Sequence, residues 1–275
     1  MTATRSILIT GCSSGIGHAC AHGMKARGWR VFATARGRED IARLEGEGLE
    51  VLHLDYRDAE SIGNCAGEVL ERTDGKLTAL FNNGGYGQPG AVEDVPMDAL
   101  RQQFETNFFG WHDLTIRLIP AMRAQGHGRI VQCSSCLGLV SLKFRGVYNA
   151  SKFALEGLSD AMRQELAGTG LHVSLIEPGP IDTRFQEHAL AAYRANIDLT
   201  GSVHAKIYKK RIARMEAGGS KRFRLGPGAV LEKLVHAVEA PRPHPHYYVT
   251  KATYMLAWSR RLFSARMLDR VMRGQ

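Results

Sequence analysis

Apolar residues in this chain gather in short, mostly continuous runs at residues 6–10, 29–35, 49–55, 77–81, 128–134, 171–176 and 246–250. Strands buried on both faces read this way, because helices cover both sides of a parallel sheet. Between the runs lie mixed segments long enough for crossover helices. They run from the glycines at 15 and 17 to about Arg27, from Asp58 onward, from about Met97 to Ala124, around Tyr148 and Lys152, and from Pro227-Gly228 to about Val238. Strands alternating with helices predict an α/β fold: a doubly wound, seven-stranded parallel sheet with helices on both faces, joined by right-handed crossovers. A length of 275 residues suits one domain spanning 1–275. Within it, residues of about 184–224 are expected to cover a substrate, and about 251–275 to form a basic helical tail.

Composition narrows the class. Hydrophobic residues make up 44% and charged residues 23%, as in an ordinary soluble globular protein. No apolar stretch approaches the ~18 residues of a spanning helix, and the N-terminus shows no leader with a cleavage site. Five cysteines, an odd number in a long chain, point to free thiols in a reducing compartment, hence to the cytoplasm. The net charge of +9 is uneven, because residues 206–275 hold 16 Lys and Arg against 4 Asp and Glu. That quarter reads as a solvated surface, with anionic lipid, nucleic acid or an anionic substrate as alternatives. No zinc-finger spacing or aromatic-glycine RNA signature accompanies the charge, so no nucleic-acid partner is expected. The tail mixes basic and apolar residues. It is expected to pack over a substrate opening or a partner subunit, or to lie peripherally on a membrane.

Two stretches carry candidate chemistry. Gly11-Cys12-Ser13-Ser14-Gly15-Ile16-Gly17 links the first run to the first helix. Glycines there allow a tight turn and let backbone N–H groups approach a phosphate, helped by the helix N-terminus. After the second run stand Arg36 and Arg38, with Ala35 where a carboxylate would hold ribose hydroxyls. An arginine pairs instead with a 2′-phosphate, which favours NADP(H) over NAD(H). The second stretch is Tyr148-Asn149-Ala150-Ser151-Lys152, whose Tyr and Lys lie one helical turn apart. A free phenol has a pKa of about 10, and a nearby ammonium lowers it. With the Ser135 hydroxyl, these groups can hold and protonate an oxygen whose carbon gains or loses hydride. Cys133 and Cys136 also form a C-x-x-C pair, but a redox pair belongs at a helix N-terminus, and here the first cysteine lies within a strand.

Taken together, these motifs resemble the short-chain dehydrogenase/reductase family over about residues 5–185. Thr10, Gly11, Gly15 and Gly17 match its T-G-x-x-x-G-x-G turn, whereas the G-x-G-x-x-G spacing is absent. Asn82-Asn83-Gly84-Gly85 matches N-N-A-G except at Gly84, which is expected to add backbone freedom. Ser135-Cys136-Leu137-Gly138 matches S-x-x-G and favours Ser135 over Ser134, and residues 148–152 match Y-x-A-S-K. The resemblance implies a Rossmann-type fold and four catalytic residues: Asn107, Ser135, Tyr148 and Lys152. Asn107 would interrupt its helix and bind a water behind Lys152. Lys152 would also hold the nicotinamide ribose. The implied cofactor residues are Gly11, Ser13, Ser14, Gly15, Ile16, Gly17, Arg36, Asp55, Asn82, Gly84, Pro178, Gly179, Ile181 and Thr183, together with Tyr148 and Lys152. Of these, Asp55 would meet adenine, although alone it could equally cap a helix. Asn82 would lie near the adenosine half, Pro178-Gly179 and Ile181 near the nicotinamide. No metal is implied.

Residues 147–158 and the long tail are similar to the branch containing 17β-hydroxysteroid and retinol dehydrogenases. This implies oxidoreduction of a lipophilic alcohol or carbonyl compound. Phe185, Leu190, Tyr193, Ile197 and Leu199, with Tyr208 and Ile212, fit such a substrate or merely pack the covering segment. A catalytically silent NADP-binding sensor is the alternative; such family members usually lack the Tyr or the Lys. The family's usual dimer surface, on the helices bearing Asn107 and Tyr148, implies a homodimer or homotetramer.

Overall fold

Seven strands form one wholly parallel sheet: β1 (Ser6–Ile9), β2 (Arg30–Ala35), β3 (Glu50–His53), β4 (Ala79–Asn82), β5 (Gly128–Cys133), β6 (Leu171–Glu177) and β7 (His246–Tyr248). Their order across the sheet is β3-β2-β1-β4-β5-β6-β7. This is a computed structural model, and it describes residues 5–219 and 222–273. Central strands are apolar throughout because both faces are covered; Ile7, Leu8 and Ile9 are wholly buried.

The crossover helices are α1 (Gly15–Ala26), α2 (Arg38–Gly46), α3 (Ala59–Arg72), α4 (Met97–Phe104), α5 (Gly110–Ala124), α6 (Gly146–Glu165) and α9 (Gly228–Glu239). Asp58 caps α3 by accepting from Glu60 N at 2.9 Å, so the cap is Asp58 and Asp55 stays free for other work. The expected helix over residues 97–124 is broken by a π-helical turn at Glu105–Phe109, centred on Asn107. One crossover departs from expectation. Helix α9 packs on α1 and so shares its face of the sheet. Yet β1 to β2 and β6 to β7 step in opposite directions across that sheet, so the two crossovers have opposite hands. The usual right-handed rule makes β6–α9–β7 the exception. The segment before α9 carries α7 (Phe185–Asn196) and α8 (Ala205–Glu216).

The expected covering segment, residues 184–224, is thus two helices; Ser220 and Lys221 lie outside the described residues. The tail is also two helices, α10 (Lys251–Leu262) and α11 (Ala265–Arg273), with Gly274 and Gln275 outside the described residues. Thr250 caps α10. Leu268 and Met272 pack on Val140, so the tail lies against the segment that follows Ser135. Among the described residues no helix is long and apolar enough to cross a membrane.

Candidate active site

Because every strand is parallel, the turns after β1 to β6 meet on one edge of the sheet. Strands β1 and β4 are neighbours there, while the chain leaves them in opposite directions, which opens a crevice between their ends. Gly11 has φ +68°, and a Cβ on it would lie 2.4 Å from Gly84 Cα. The two turns therefore touch backbone to backbone, which requires glycine at 11; at Gly84, whose φ is not positive, a Cβ would lie 3.2 Å from Gly11 Cα, a tight contact, and the expected backbone freedom is not used. Thr10 Oγ1 knots them together by accepting from Asn83 N at 2.8 Å and Gly84 N at 3.1 Å. A Cβ at Gly17 would meet Gly11 O at 2.2 Å, which brings the start of α1 close against the turn.

Ser14 stands at the N-cap of α1 without bonding its first turn, so those N–H groups keep their donors for a ligand. Ser13 and Ser14 are half-buried in this turn, and Ile16 packs against the core. Thr183 reaches across from the far side, its Cγ2 2.9 Å from where a Gly15 Cβ would be. A glycine cradle over an uncapped helix N-terminus fits a dinucleotide's phosphates.

On the adenosine side, Arg36 is exposed at the end of β2, with Nη1 4.0 Å from Asp55 Oδ2. Asp55 also accepts from Arg57, through N at 3.0 Å and Nη2 at 3.2 Å. Burial pushes the Asp55 carboxyl up, but Arg57 and then Arg36 outweigh it and hold it below its usual value. Asn82 behaves differently from expectation. Its amide turns into the core, donating to Thr115 Oγ1 at 2.9 Å and accepting from Tyr56 Oη at 3.1 Å. Its neighbour Asn83, which motif reading passed over, is the one that ties the crevice turns, donating to Thr10 O at 2.9 Å. On the nicotinamide side, Pro178 O accepts from Cys136 N at 2.9 Å and holds the β5 and β6 turns together. Gly179 packs on Thr250, and Ile181 pairs with Leu225.

The catalytic candidates converge at the end of β5. Ser135 Oγ accepts from Leu137 N at 3.1 Å, which leaves its own O–H to donate outward. Tyr148 is buried on α6, and Phe185 covers it edge-on with ring centroids 5.6 Å apart. Burial raises the Tyr148 pKa well above its usual value, and hydrogen bonding with Ser135 only partly offsets this. Lys152 was expected to lower that pKa. Instead its Nζ donates to Cys133 O at 2.7 Å and lies 4.2 Å from the Trp111 ring centroid, against 5.9 Å from the Tyr148 ring. Burial pushes Lys152 itself down to about 8, although Cys133 and Glu156 pull it up. Tyr148 in this arrangement keeps its proton at neutral pH, which suits a proton donor.

Asn107 sits in the π-helical turn with both amide groups engaged: Nδ2 donates to Tyr86 O at 2.8 Å and Oδ1 accepts from Tyr86 N at 3.2 Å. It thereby clamps the Tyr86 loop. Trp111, one turn on, was also missed from sequence. Its Nε1 donates to Gly84 O at 2.8 Å while its face meets Lys152, linking cofactor turn and catalytic helix.

Most apolar residues of the covering segment serve its own packing. Tyr193 and Tyr208 are wholly buried against each other and Ile197, with Leu199 and Ile212 alongside. Phe185 meets Tyr148. A further buried cluster lies behind Ser134, whose hydroxyl donates to Glu156. His246 Nδ1 pairs with Glu177 Oε1 at 2.6 Å and stands 3.9 Å from Glu156 Oε2. Burial, with Glu177 adding to it, pushes Glu156 up to about 8.

Known proteins share this arrangement. The short chain dehydrogenase family profile matches residues 5–194. The uncharacterized oxidoreductase YbbO of Escherichia coli (strain K12) is 42% identical over 270 residues, covering 98% of this chain and 94% of that protein. Human retinol dehydrogenase 8 is 34% identical over 254 residues, covering 88% of this chain and 80% of its own length. Human 17-beta-hydroxysteroid dehydrogenase type 1 is 34% identical over 260 residues, covering 89% and 77%. Among solved structures, a short-chain dehydrogenase from Streptomyces avermitilis superposes with a TM-score of 0.82 at 28% identity, covering 100% of this chain and 99% of that one. A short chain dehydrogenase/reductase from Burkholderia phymatum, in complex with NAD, gives 0.78 at 25% identity, covering 95% and 94%.

Proposed function

The chain belongs to the short-chain dehydrogenase family, and from that premise we propose that it interconverts a lipophilic alcohol with its ketone or aldehyde, using NADP(H) in preference to NAD(H). The observation that carries the reaction type is the meeting of Ser135 and Tyr148 at the end of β5, with Lys152 one turn along α6. The nicotinamide, when bound, supplies or accepts the hydride. Ser135 donates its free O–H to the substrate oxygen, and Tyr148, protonated because it is buried, gives that oxygen its proton in reduction. In oxidation Tyr148 must first give up its own proton, and the phenolate then takes the proton of the alcohol. Lys152 stands beside the reacting groups as a buried cation poised near neutrality, suited to holding ribose hydroxyls and to passing a proton on. Asn107 keeps the Tyr86 loop in place.

Arg36 supports the phosphate-bearing cofactor: it is exposed at the adenosine end of the crevice with only a 4.0 Å ion pair to leave. Resemblance to the retinol and hydroxysteroid dehydrogenases, and Phe185 over Tyr148, support a lipophilic substrate. A homo-oligomer is supported by Phe109 and Ile116, large apolar residues exposed on and beside α5. A silent sensor is disfavoured because Ser135, Tyr148 and Lys152 are all in place. The test is incubation with NADP⁺ or NAD⁺ and a panel of steroid, retinoid and simple alcohols, following reduced cofactor. Turnover faster with NADP⁺, and best on an apolar alcohol, is expected. Preference for NAD⁺, or activity confined to small polar alcohols, would overturn the corresponding half of the reading.

A further inference from the structure

Outside the catalytic groups, α1 carries two histidines one turn apart, His18 and His22. Both turn towards the C-cap residue of α2, Glu47. Their Nε2 atoms lie 2.8 Å and 2.7 Å from the same oxygen, Glu47 Oε2. The three ligand atoms all lie within 4.8 Å of one another, and the imidazole centroids are 4.5 Å apart. We propose that His18, His22 and Glu47 form a binding site for one divalent transition-metal ion of the zinc type, which staples α1 to α2.

The donor set is the argument. Two imidazoles and one carboxylate suit zinc, cobalt, nickel or copper, whereas magnesium and calcium prefer all-oxygen sites. Histidines four apart on a helix present both nitrogens to one point. Zinc–ligand distances of about 2.0–2.2 Å in a tetrahedral site set ligand atoms roughly 3.3 Å apart, so each imidazole–carboxylate spacing need open by only about half an ångström, and the two imidazole nitrogens lie within 4.8 Å of each other. Each side chain is about one-third exposed, at 36%, 36% and 29%, which leaves a side open for the water that completes four-coordination.

A supporting partner is also present. Arg43 Nη1 donates to Glu47 Oε1 at 2.6 Å and so orients the carboxylate with Oε2 towards the histidines. The cost is a nearby positive charge, and Lys25, bonded to Gly48 O, adds a second. Arg43 Nη2 meanwhile reaches Ser13 O at 2.7 Å, so the staple would also brace the glycine turn. The other cluster of this kind, Glu156 with Glu177 and His246, is a poorer candidate. Its carboxyl oxygens already accept from Ser134, His246 and Tyr247 N.

The experiment uses untagged full-length protein stripped with a chelator, then titrated with Zn²⁺ and with Co²⁺ in the absence of nicotinamide cofactor. Expected are one bound ion per chain, a tetrahedral cobalt spectrum without a thiolate charge-transfer band, and no effect of Mg²⁺. At a hundredfold excess over Kd, the melting temperature should rise by about 5–10 °C. His22→Ala and Glu47→Gln should each reduce affinity at least tenfold. Near-normal melting temperatures of both variants without metal would show that they fold. Absence of saturable one-to-one binding, binding unchanged in His22→Ala, or a thiolate band would overturn the proposal. None of these readouts depends on the oxidoreductase activity.

Discussion

Lys152 should make the fold less stable than it would be without it. The ammonium is 4% exposed, and burial lowers its pKa from 10.5 to about 8. That shift corresponds to a penalty of about 3 kcal/mol for holding the charged form at pH 7, at about 1.36 kcal/mol per unit. Lys152→Met keeps the side-chain volume and removes the charge. It also loses the bond to Cys133 O and the contact with Trp111, which return about 1–3 kcal/mol to the wild type. The variant should therefore be at least as stable at pH 7, by up to about 2 kcal/mol, or up to roughly 8 °C in melting temperature, while losing activity. The sign in pH is fixed. Below about 8 both folded and unfolded lysine are charged, so the penalty is whole. Between about 8 and 10.5 the unfolded state binds the extra proton, so wild-type stability rises with pH and the gap closes. Urea unfolding of both proteins without cofactor from pH 7 to 10.5 measures this. A variant less stable than wild type at pH 7, or a gap constant in pH, would refute the reasoning.

Three other expectations follow from particular contacts. Arg36→Ala should raise KM for NADPH about 10–100-fold with little change for NADH, as loss of one charge-assisted phosphate contact predicts; parallel steady-state kinetics with the two cofactors check it. Glu156→Gln should change the pH dependence of stability. Burial and Glu177 raise the Glu156 carboxyl to about 8, so wild-type stability is whole below about 4.5 and is lost as pH rises through about 8. The glutamine variant should lack that loss in thermal melts across this window. The outward residues of α10 and α11, among them Trp258, Leu262 and Met267 beside Arg260, Arg261 and Arg266, should bind vesicles containing anionic lipid and release them in high salt. Flotation with neutral vesicles is the control.

Strand positions were legible because a doubly covered sheet needs continuous apolar runs, and the motif residues were legible because glycines and a Tyr-Lys pair leave fixed spacings. Side-chain direction was less so. Asn82 ends β4, and the two-residue strand period sends it into the core while Asn83 meets the crevice turns. That alternation was available in the sequence, yet the motif drew attention only to Asn82. The balance around Tyr148 and Lys152 depends on burial under Phe185 and against Trp111, contributions from distant segments that no spacing reveals. The covering segment's tyrosines could line or pack, and only tertiary contact shows that Tyr193 and Tyr208 pack.

The central claim is that Tyr148 transfers the proton while other groups hold the cofactor. Its most direct test is Tyr148→Phe, assayed side by side for NADPH binding by fluorescence and for turnover of the best substrate. The account predicts a Kd for NADPH within a few-fold of wild type and a kcat reduced at least a thousandfold. Turnover close to wild type in that variant would contradict it.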